Sequence, residues 1–545
     1  MSLYTRLAWD GLRKNKRLYL PYMLTCVGMV TLYFMMCALR DSPLLGNMRG
    51  GNSSRMVLTL GVWVIAVFSA LLLYYTSSFL ARRRQREFGL YHVLGMGKGN
   101  IAMVCAIETV MTAAAALIAG LALGVGISYA AQEGLLATQR EKVEYTFSVD
   151  TAAMAETALV YLVIFALTLV STLVKVGRGT AISLLHSENY GEKAPKGNRF
   201  VALLGFVLLA VAYGMAVSIQ EPLKAMLLFF VAVILVILGT YLLFVAGSVT
   251  LCRALQRNRD YYYQPRHFVS VSSMAYRMKR NGAGLASICI LATMILVMLS
   301  SSACLYFGAE DSLNASYPYE YDLTVWARDA EALPALEKVL DEAGAPYGVA
   351  IWQQGTVEQR DGETIWSAEF NTGLSQEQQL ALGRDINEAL NDPDTTWGFS
   401  SSFRAEAADE FYGTYGSLFF IGIVLSVMFA GAAVMMMYYK QMCEGYEDQP
   451  RFAIMQKVGM TAADIRKSVN SQLLTVFFLP LAGAALHMAF AFPMVRRILL
   501  IFQLQNTGLF ITTVLISFAV LAVVYTLVYQ ATSNAYYRIV RNEVQ

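Results

Sequence analysis

Apolar residues run along this chain in blocks too long for a globular core. The hydrocarbon core of a bilayer takes ~20 mostly apolar residues per helix. Ten runs of that kind fall near 18–39, 56–81, 101–131, 152–174, 200–219, 225–247, 284–307, 416–439, 473–495 and 508–529. Between the seventh and eighth, the pattern changes. Tyr321 to Trp326 alternates like a strand, Ala332 to Leu340 has helical spacing, and strand-like stretches follow at 347–352, 355–359 and 364–370. A second helix starts after the Ser375 cap, with Glu377 two residues on, and runs to about Leu390, where Asn391-Asp392-Pro393-Asp394 stops it. The predicted fold is an all-α polytopic membrane protein of ten transmembrane helices, carrying a small α+β domain of one sheet and two covering helices.

A short pattern occurs twice, 364 positions apart. Arg86-Glu87-Phe88-Gly89-Leu90 leads to Leu94-Gly95-Met96 and Ile101; Arg451-Phe452-Ala453-Ile454 leads to Val458-Gly459-Met460 and Ile465. Each copy stands between two apolar runs, which makes each a short amphipathic helix on one face of a membrane. A weaker match, at an offset of 266, sets Leu12-Arg13-Lys14-Asn15 against Met278-Lys279-Arg280-Asn281. Together they predict a duplicated 4+2+4 layout of parallel repeats. Residues 1–199 form the first four-helix repeat, with its amphipathic helix near 86–101, and 200–252 an inserted hairpin. Residues 253–308 open the second repeat, 309–412 form the α+β domain, and 413–545 carry the last three helices with the second amphipathic helix near 451–465.

Charge sets the orientation. The chain is 56% hydrophobic and 15% charged, with a mean hydropathy of +0.47. With the N-terminus cytoplasmic, the inside segments hold 29 Lys and Arg and the short outside loops eight, so both termini are predicted cytoplasmic. The first run is too long for a signal-peptide core and reads as an uncleaved anchor. The net charge of +3 hides an asymmetry: residues 309–412 hold 21 Asp and Glu against 5 Lys and Arg. An extracytoplasmic domain so acidic attracts cationic ligands, while the basic cytoplasmic face suits anionic lipid headgroups. None of the seven cysteines falls in that domain, so a core rather than a disulfide framework must hold it.

Enzyme signatures are lacking. The sequence has no Gly-x-x-x-x-Gly-Lys-Ser/Thr loop, no metal spacing among its four histidines and no Ser/His/Asp arrangement. Nothing points to catalysis, to a bound metal or to nucleic acid. The paired helices are the main candidate site. Arg86, Glu87, Phe88, Leu90, Leu94, Gly95 and Met96 in the first, and Arg451, Phe452, Ile454, Val458, Gly459 and Met460 in the second, carry side chains favoured at buried interfaces. Lying on lipid is the alternative for one such helix; two in register favour docking of a two-fold symmetric cytosolic partner. Glu108 sits one turn inside a span, where a charge costs ~3 kcal/mol or more unless it is paired or near the interface. It is either a network acid that latches helices, with an Arg of the 82–86 cluster as partner, or a snorkelling side chain. Glu156 reads as interfacial, His487 as a packed span residue, and Gly120 with Gly124 as a packing seam. Trp326, Trp352, Trp366 and Trp397 lie in the acidic domain and read first as core, with an aromatic ligand surface as the alternative.

The Arg-Arg-x-x-Arg-Glu-Phe-Gly-Leu…Leu-Gly-Met segment, the span carrying Glu108 after it, and the span layout resemble an FtsX-like permease. That is the membrane subunit of an ABC transporter of the MacB type, and the domain between spans 7 and 8 is similar to the bacitracin-resistance (BceB-like) branch. The motif covers about 82–109 and weakly 446–472. The second copy departs from it, with Asp448-Gln449-Pro450 in place of basic residues and Gln472 in place of Glu108. The resemblance implies a bacterial cell-membrane permease whose two amphipathic helices sit in clefts of two copies of a cytosolic ATPase. ATP and Mg would bind to that partner, with no cofactor in this chain. It further implies removal or displacement of an antimicrobial peptide by mechanotransmission, with a cationic peptide or lipid-linked molecule as ligand. Three rival readings are a peptide sensor signalling to a membrane histidine kinase, an activator of a cell-wall hydrolase, and extraction of lipoproteins.

Overall fold

The computed structural model describes residues 3–47, 51–139, 150–178, 198–257, 265–328, 332–360, 363–391, 397–457 and 462–541. Ten of its helices are long and apolar enough to cross a membrane, and they match the ten predicted runs. In chain order the helices begin with α1 (Leu3–Lys14), α2 (Lys16–Arg40), α3 (Leu44–Asn47), α4 (Gly51–Arg83), α5 (Gln85–Val93), α6 (Lys98–Gln139) and α7 (Thr151–Arg178). There follow α8 (Arg199–Ser218), α9 (Pro222–Leu242), α10 (Ser248–Arg257), α11 (Pro265–Phe307) and α12 (Ala309–Ser316). Beyond the small domain come α15 (Arg404–Lys457), α16 (Ala462–Leu499) and α17 (Thr507–Arg541).

Several helices outrun the runs that predicted them. The 42 residues of α6 and the 54 of α15 span ~60 and ~80 Å at 1.5 Å per residue, against a hydrocarbon core of ~30 Å. α15 starts at the last strand of the small domain and continues without a break to Lys457. It is fixed to the first half near its start and again about two-thirds of the way along. On the domain side, the Ser54 hydroxyl donates to Gly413 O (3.2 Å) and Gln139 Nε2 to Ser417 Oγ (2.8 Å). A Cβ on Gly416 would lie 2.4 Å from Thr138 O, so α15 and α6 touch backbone to backbone there. Toward the far end, Tyr439 donates to Leu18 O (3.0 Å) and stacks at a tilt on Phe79.

The seam predicted at Gly120 and Gly124 receives α2. A Cβ on either would lie 2.6 Å from Val30 or Phe34, and Thr31 donates to Gly120 O. His487 of α16 is buried and ties in the α8–α9 hairpin through Tyr213 (2.6 Å) and Thr240 (3.1 Å). Glu156 pairs with Arg40 at 2.6 Å and accepts from Tyr33.

The small domain is one antiparallel sheet in the order β2-β3-β1-β4. Its strands are β1 (Tyr321–Ala327), β2 (Gly355–Arg360), β3 (Glu363–Phe370) and β4 (Trp397–Phe403). Alternation decides its faces: Tyr321, Leu323 and Val325 point inward, as do Trp366, Ala368 and Phe370. Against them pack Leu336 and Leu340 of α13 (Leu333–Gly344), and Leu382, Ile386 and Leu390 of α14 (Gln376–Leu390). Ser375 caps α14 through a capping box whose third residue is Gln378. Two sequence expectations need correction here. Residues 347–352 form no strand, because a 3-10 turn at Ala345–Tyr347 ends in Gly348 with φ +71°, which turns the chain away from the sheet. The remaining strand is β4 instead, beside β1.

Candidate functional site

The corner between α4 and α5 is organised by Arg84. It stands between the two helices, and its side chain turns into the bundle rather than toward solvent. Its Nη1 donates to the Tyr19 hydroxyl at 2.7 Å and contacts the Glu108 carboxylate, while its Nε donates to Glu87 Oε2 at 2.9 Å. Tyr19 in turn donates to Glu108 Oε2 (3.2 Å), and Asn15 Nδ2 donates to Glu87 Oε1 (2.8 Å). The guanidinium lies over two rings, with centroids 5.7 Å away for Tyr19 and 5.0 Å for Phe88. Glu108 is thus paired with Arg84 and bonded by Tyr19 in this structure. Burial works against the charge on Arg84, but Tyr19, Glu108 and Glu87 more than offset it and hold its pKa above the ordinary value.

One helix closes this cluster from outside. Gly11 of α1 faces Glu108 Oε1 and Arg84 Nη2, and a Cβ there would lie 2.7 and 3.0 Å from them. Those two atoms are also the members of the pair with no hydrogen bond. Gly11 is therefore needed for close approach, and Ala8 beside it is fully buried. A cavity of ≈ 40 Å³ adjoins the pair, lined among others by Tyr22, Ser77, Cys105 and Thr112.

The predicted docking residues divide into two groups. Phe88 is 2% exposed and packs on Ile101, Cys105 and Val176. It is an internal anchor, because the turn at Arg84 points it into the bundle, and it cannot touch a partner directly. Met96 packs half-buried on the same cluster. Leu90, Val93 and Leu94 are exposed by 51%, 62% and 72% and form the free apolar end of α5. Gly95 shapes that end: its φ of +95° completes a C-terminal cap in which Met96 N donates to Tyr91 O and Gly95 N to His92 O.

The second copy differs. Arg451, Phe452 and Ile454 belong to the unbroken α15 rather than to a separate short helix, and Asp448 stands at the position equivalent to Arg84. The side chains of those three and of Arg86 lie outside the described residues, as do Val458, Gly459 and Met460 altogether.

In the sheet domain, Trp366 is 1% exposed and stacks on Trp352 at 5.5 Å, so it is core and not ligand surface. Trp397 packs half-buried on the same core. Trp326, on the opposite face, is 37% exposed, with its indole over Gly398. Arg84, Tyr19, Asn15 and Gly11 join the site from the structure. Arg84 was legible as one of the 82–86 cluster; the residues of α1 and α2 had no spacing to mark them.

The FtsX-like permease C-terminal family matches residues 59–181, a segment that holds the α4–α5–α6 corner, Arg84 and Glu108. The bacitracin export permease protein BceB of Halalkalibacterium halodurans is 27% identical over 353 residues, which cover 63% of this chain and 54% of that protein. BceB of Bacillus subtilis is 22% identical over 88% of this chain and 92% of its own length. The ABC transporter permease protein YxdM of Bacillus subtilis is also 22% identical, over 90% of this chain and 93% of that protein. The chain thus carries ten apolar helices and an FtsX-like permease segment over residues 59–181, and over most of its length it is similar to the BceB permease of Bacillus subtilis.

Proposed function

We propose that this chain is the permease of an ABC transporter that displaces or removes a peptide antibiotic, driven by ATP hydrolysis in a separate cytosolic ATPase. The observation that carries this is the α5 corner, an exposed apolar turn of Leu90, Val93 and Leu94 fixed from behind by the buried Arg84–Glu108 cluster. An exposed apolar end on a rigid mount suits a partner that must push and not merely bind. The bacitracin names of its relatives and the acidic sheet domain both favour a cationic peptide, or a lipid-linked target, as ligand.

The mechanism is mechanical. Closure of two ATPases moves the α5 corner and the end of α15, with the termini on the cytoplasmic side and the sheet domain outside. α15 passes that motion to the sheet domain, because it runs unbroken from the last strand to Lys457 and packs on α4, α6 and α2 along the way. The chain itself contributes positioning, and the 4+2+4 repeat gives one permease two docking places.

Expression of the chain with the ATPase encoded beside it, in a host sensitive to bacitracin and to cationic peptides, tests this reading. The minimal inhibitory concentration of at least one such peptide rises several-fold, and the rise disappears with Leu90→Asp, Leu94→Asp. No change for any peptide, with both subunits present in the membrane, refutes it.

A further inference from the structure

A second small cavity, of ≈ 10 Å³, lies in the other half of the bundle. It is lined by Leu285 and Ile288 of α11, by Lys440, Gln441 and Glu444 of α15, and by Tyr525 of α17. Its position is not arbitrary. At the offset of 266, Leu285 and Ile288 fall on Tyr19 and Tyr22; at the offset of 364, Gln441 and Glu444 fall on Ser77 and Leu80. Those four first-half residues line the cavity beside Arg84 and Glu108. The two cavities thus occupy equivalent places in the two repeats.

Their chemistry has been redistributed. The second half has Asp448 at the position of Arg84 and Gln472 at that of Glu108, and its first helix offers Leu and Ile where Tyr19 and Tyr22 stand. Its second helix offers Gln and Glu where Ser77 and Leu80 stand. A basic and an acidic side chain meet again, Lys440 and Glu444 at 3.9 Å, exposed by only 11% and 2%. Around them, both amide atoms of Gln441 and the hydroxyl of Tyr525 are buried without a hydrogen bond. Such groups are costly to bury bare. A volume of this size is about that of one water, which needs two to four polar partners. An ammonium group at the wall disfavours a metal cation.

We propose that the second half carries a hydrated counterpart of the Arg84–Glu108 cluster, in which Gln441, Glu444 and Tyr525 close around one internal water beside Lys440. The charge cluster missing from the second sequence copy is then replaced, one helical turn or more away, by residues of α15. This inference stands apart from the transport reading, since it concerns how each repeat is held together.

A high-resolution electron density map of the full chain in lipid nanodiscs tests it, together with a mutant cycle. The map shows one ordered peak within hydrogen-bond reach of Gln441 and Tyr525; a map that resolves other buried waters and shows none here overturns the proposal. Gln441→Leu and Tyr525→Phe each lower the thermal midpoint of the purified chain. The double variant falls no further than the worse single one, because either change releases the same water. Additive shifts of either sign, or a raised midpoint in both single variants, overturn it. Neither readout involves an ATPase or a peptide, so failure of the transport reading leaves the result interpretable.

Discussion

At the scale of the residue, the Arg84–Glu108 pair decides the site. Removing one partner of a buried ion pair strands the other and costs ~3–5 kcal/mol, while replacing both by apolar groups costs far less. Arg84→Met or Glu108→Gln therefore lowers the stability of the purified permease by about that amount, and Arg84→Met with Glu108→Leu recovers most of it. Thermal unfolding of the three variants checks the order. Gly11→Ala forces a methyl group against Glu108 Oε1 and costs ~1–3 kcal/mol as an overpacked contact; an unchanged unfolding midpoint would contradict the seating of α1. Glu108 was legible in the sequence because a charge inside an apolar run needs a partner. Which arginine answers it was not, because nothing in the spacing of the 82–86 cluster marks the one whose side chain is buried. Tyr19 and Gly11 reach the pair from chain-distant helices, which no local spacing records.

At the scale of the element, the short helix α5 has a buried face at Phe88 and an exposed one at Leu90 and Leu94. Phe88→Ala empties a buried site and costs ~3–5 kcal/mol, whereas Leu90→Ser and Leu94→Ser, at exposed positions, stay within ~0.5 kcal/mol. Denaturant or thermal unfolding of these variants separates the buried anchor from the exposed positions. The repeated Phe88 and Phe452 suggested contact residues because a repeat in sequence serves an anchor as well as an interface. In the sheet domain, β4 was missed although Trp397, Phe399 and Phe403 lie on it, because polar residues at 400–402 interrupt the alternation. The apolar residues at 347–352 misled because Gly348 takes a left-handed conformation, and pattern alone does not report that.

At the scale of the molecule, ten apolar runs specified ten helices, since a run of that length has no other way to satisfy its backbone in lipid. The lengths of α6 and α15 were not legible, because helix continues past the apolar run in residues whose polarity alone does not stop it. The continuity of α15 gives the sheet domain a direct mechanical link to the opposite face. Replacing the sheet domain by a flexible linker between α12 and α15 therefore leaves ATPase binding intact and abolishes peptide-stimulated ATP turnover. Equal stimulation without the domain would move the ligand site into the spans. The central claim is that the free end of α5 receives the ATPase, and co-purification tests it most directly. The wild-type chain is isolated from membranes after co-expression with a candidate ABC ATPase from the same genome, in parallel with Leu90→Asp, Leu94→Asp. The account predicts that both chains insert and fold alike and that the variant loses ATPase relative to wild type. Equal retention by the two would contradict it.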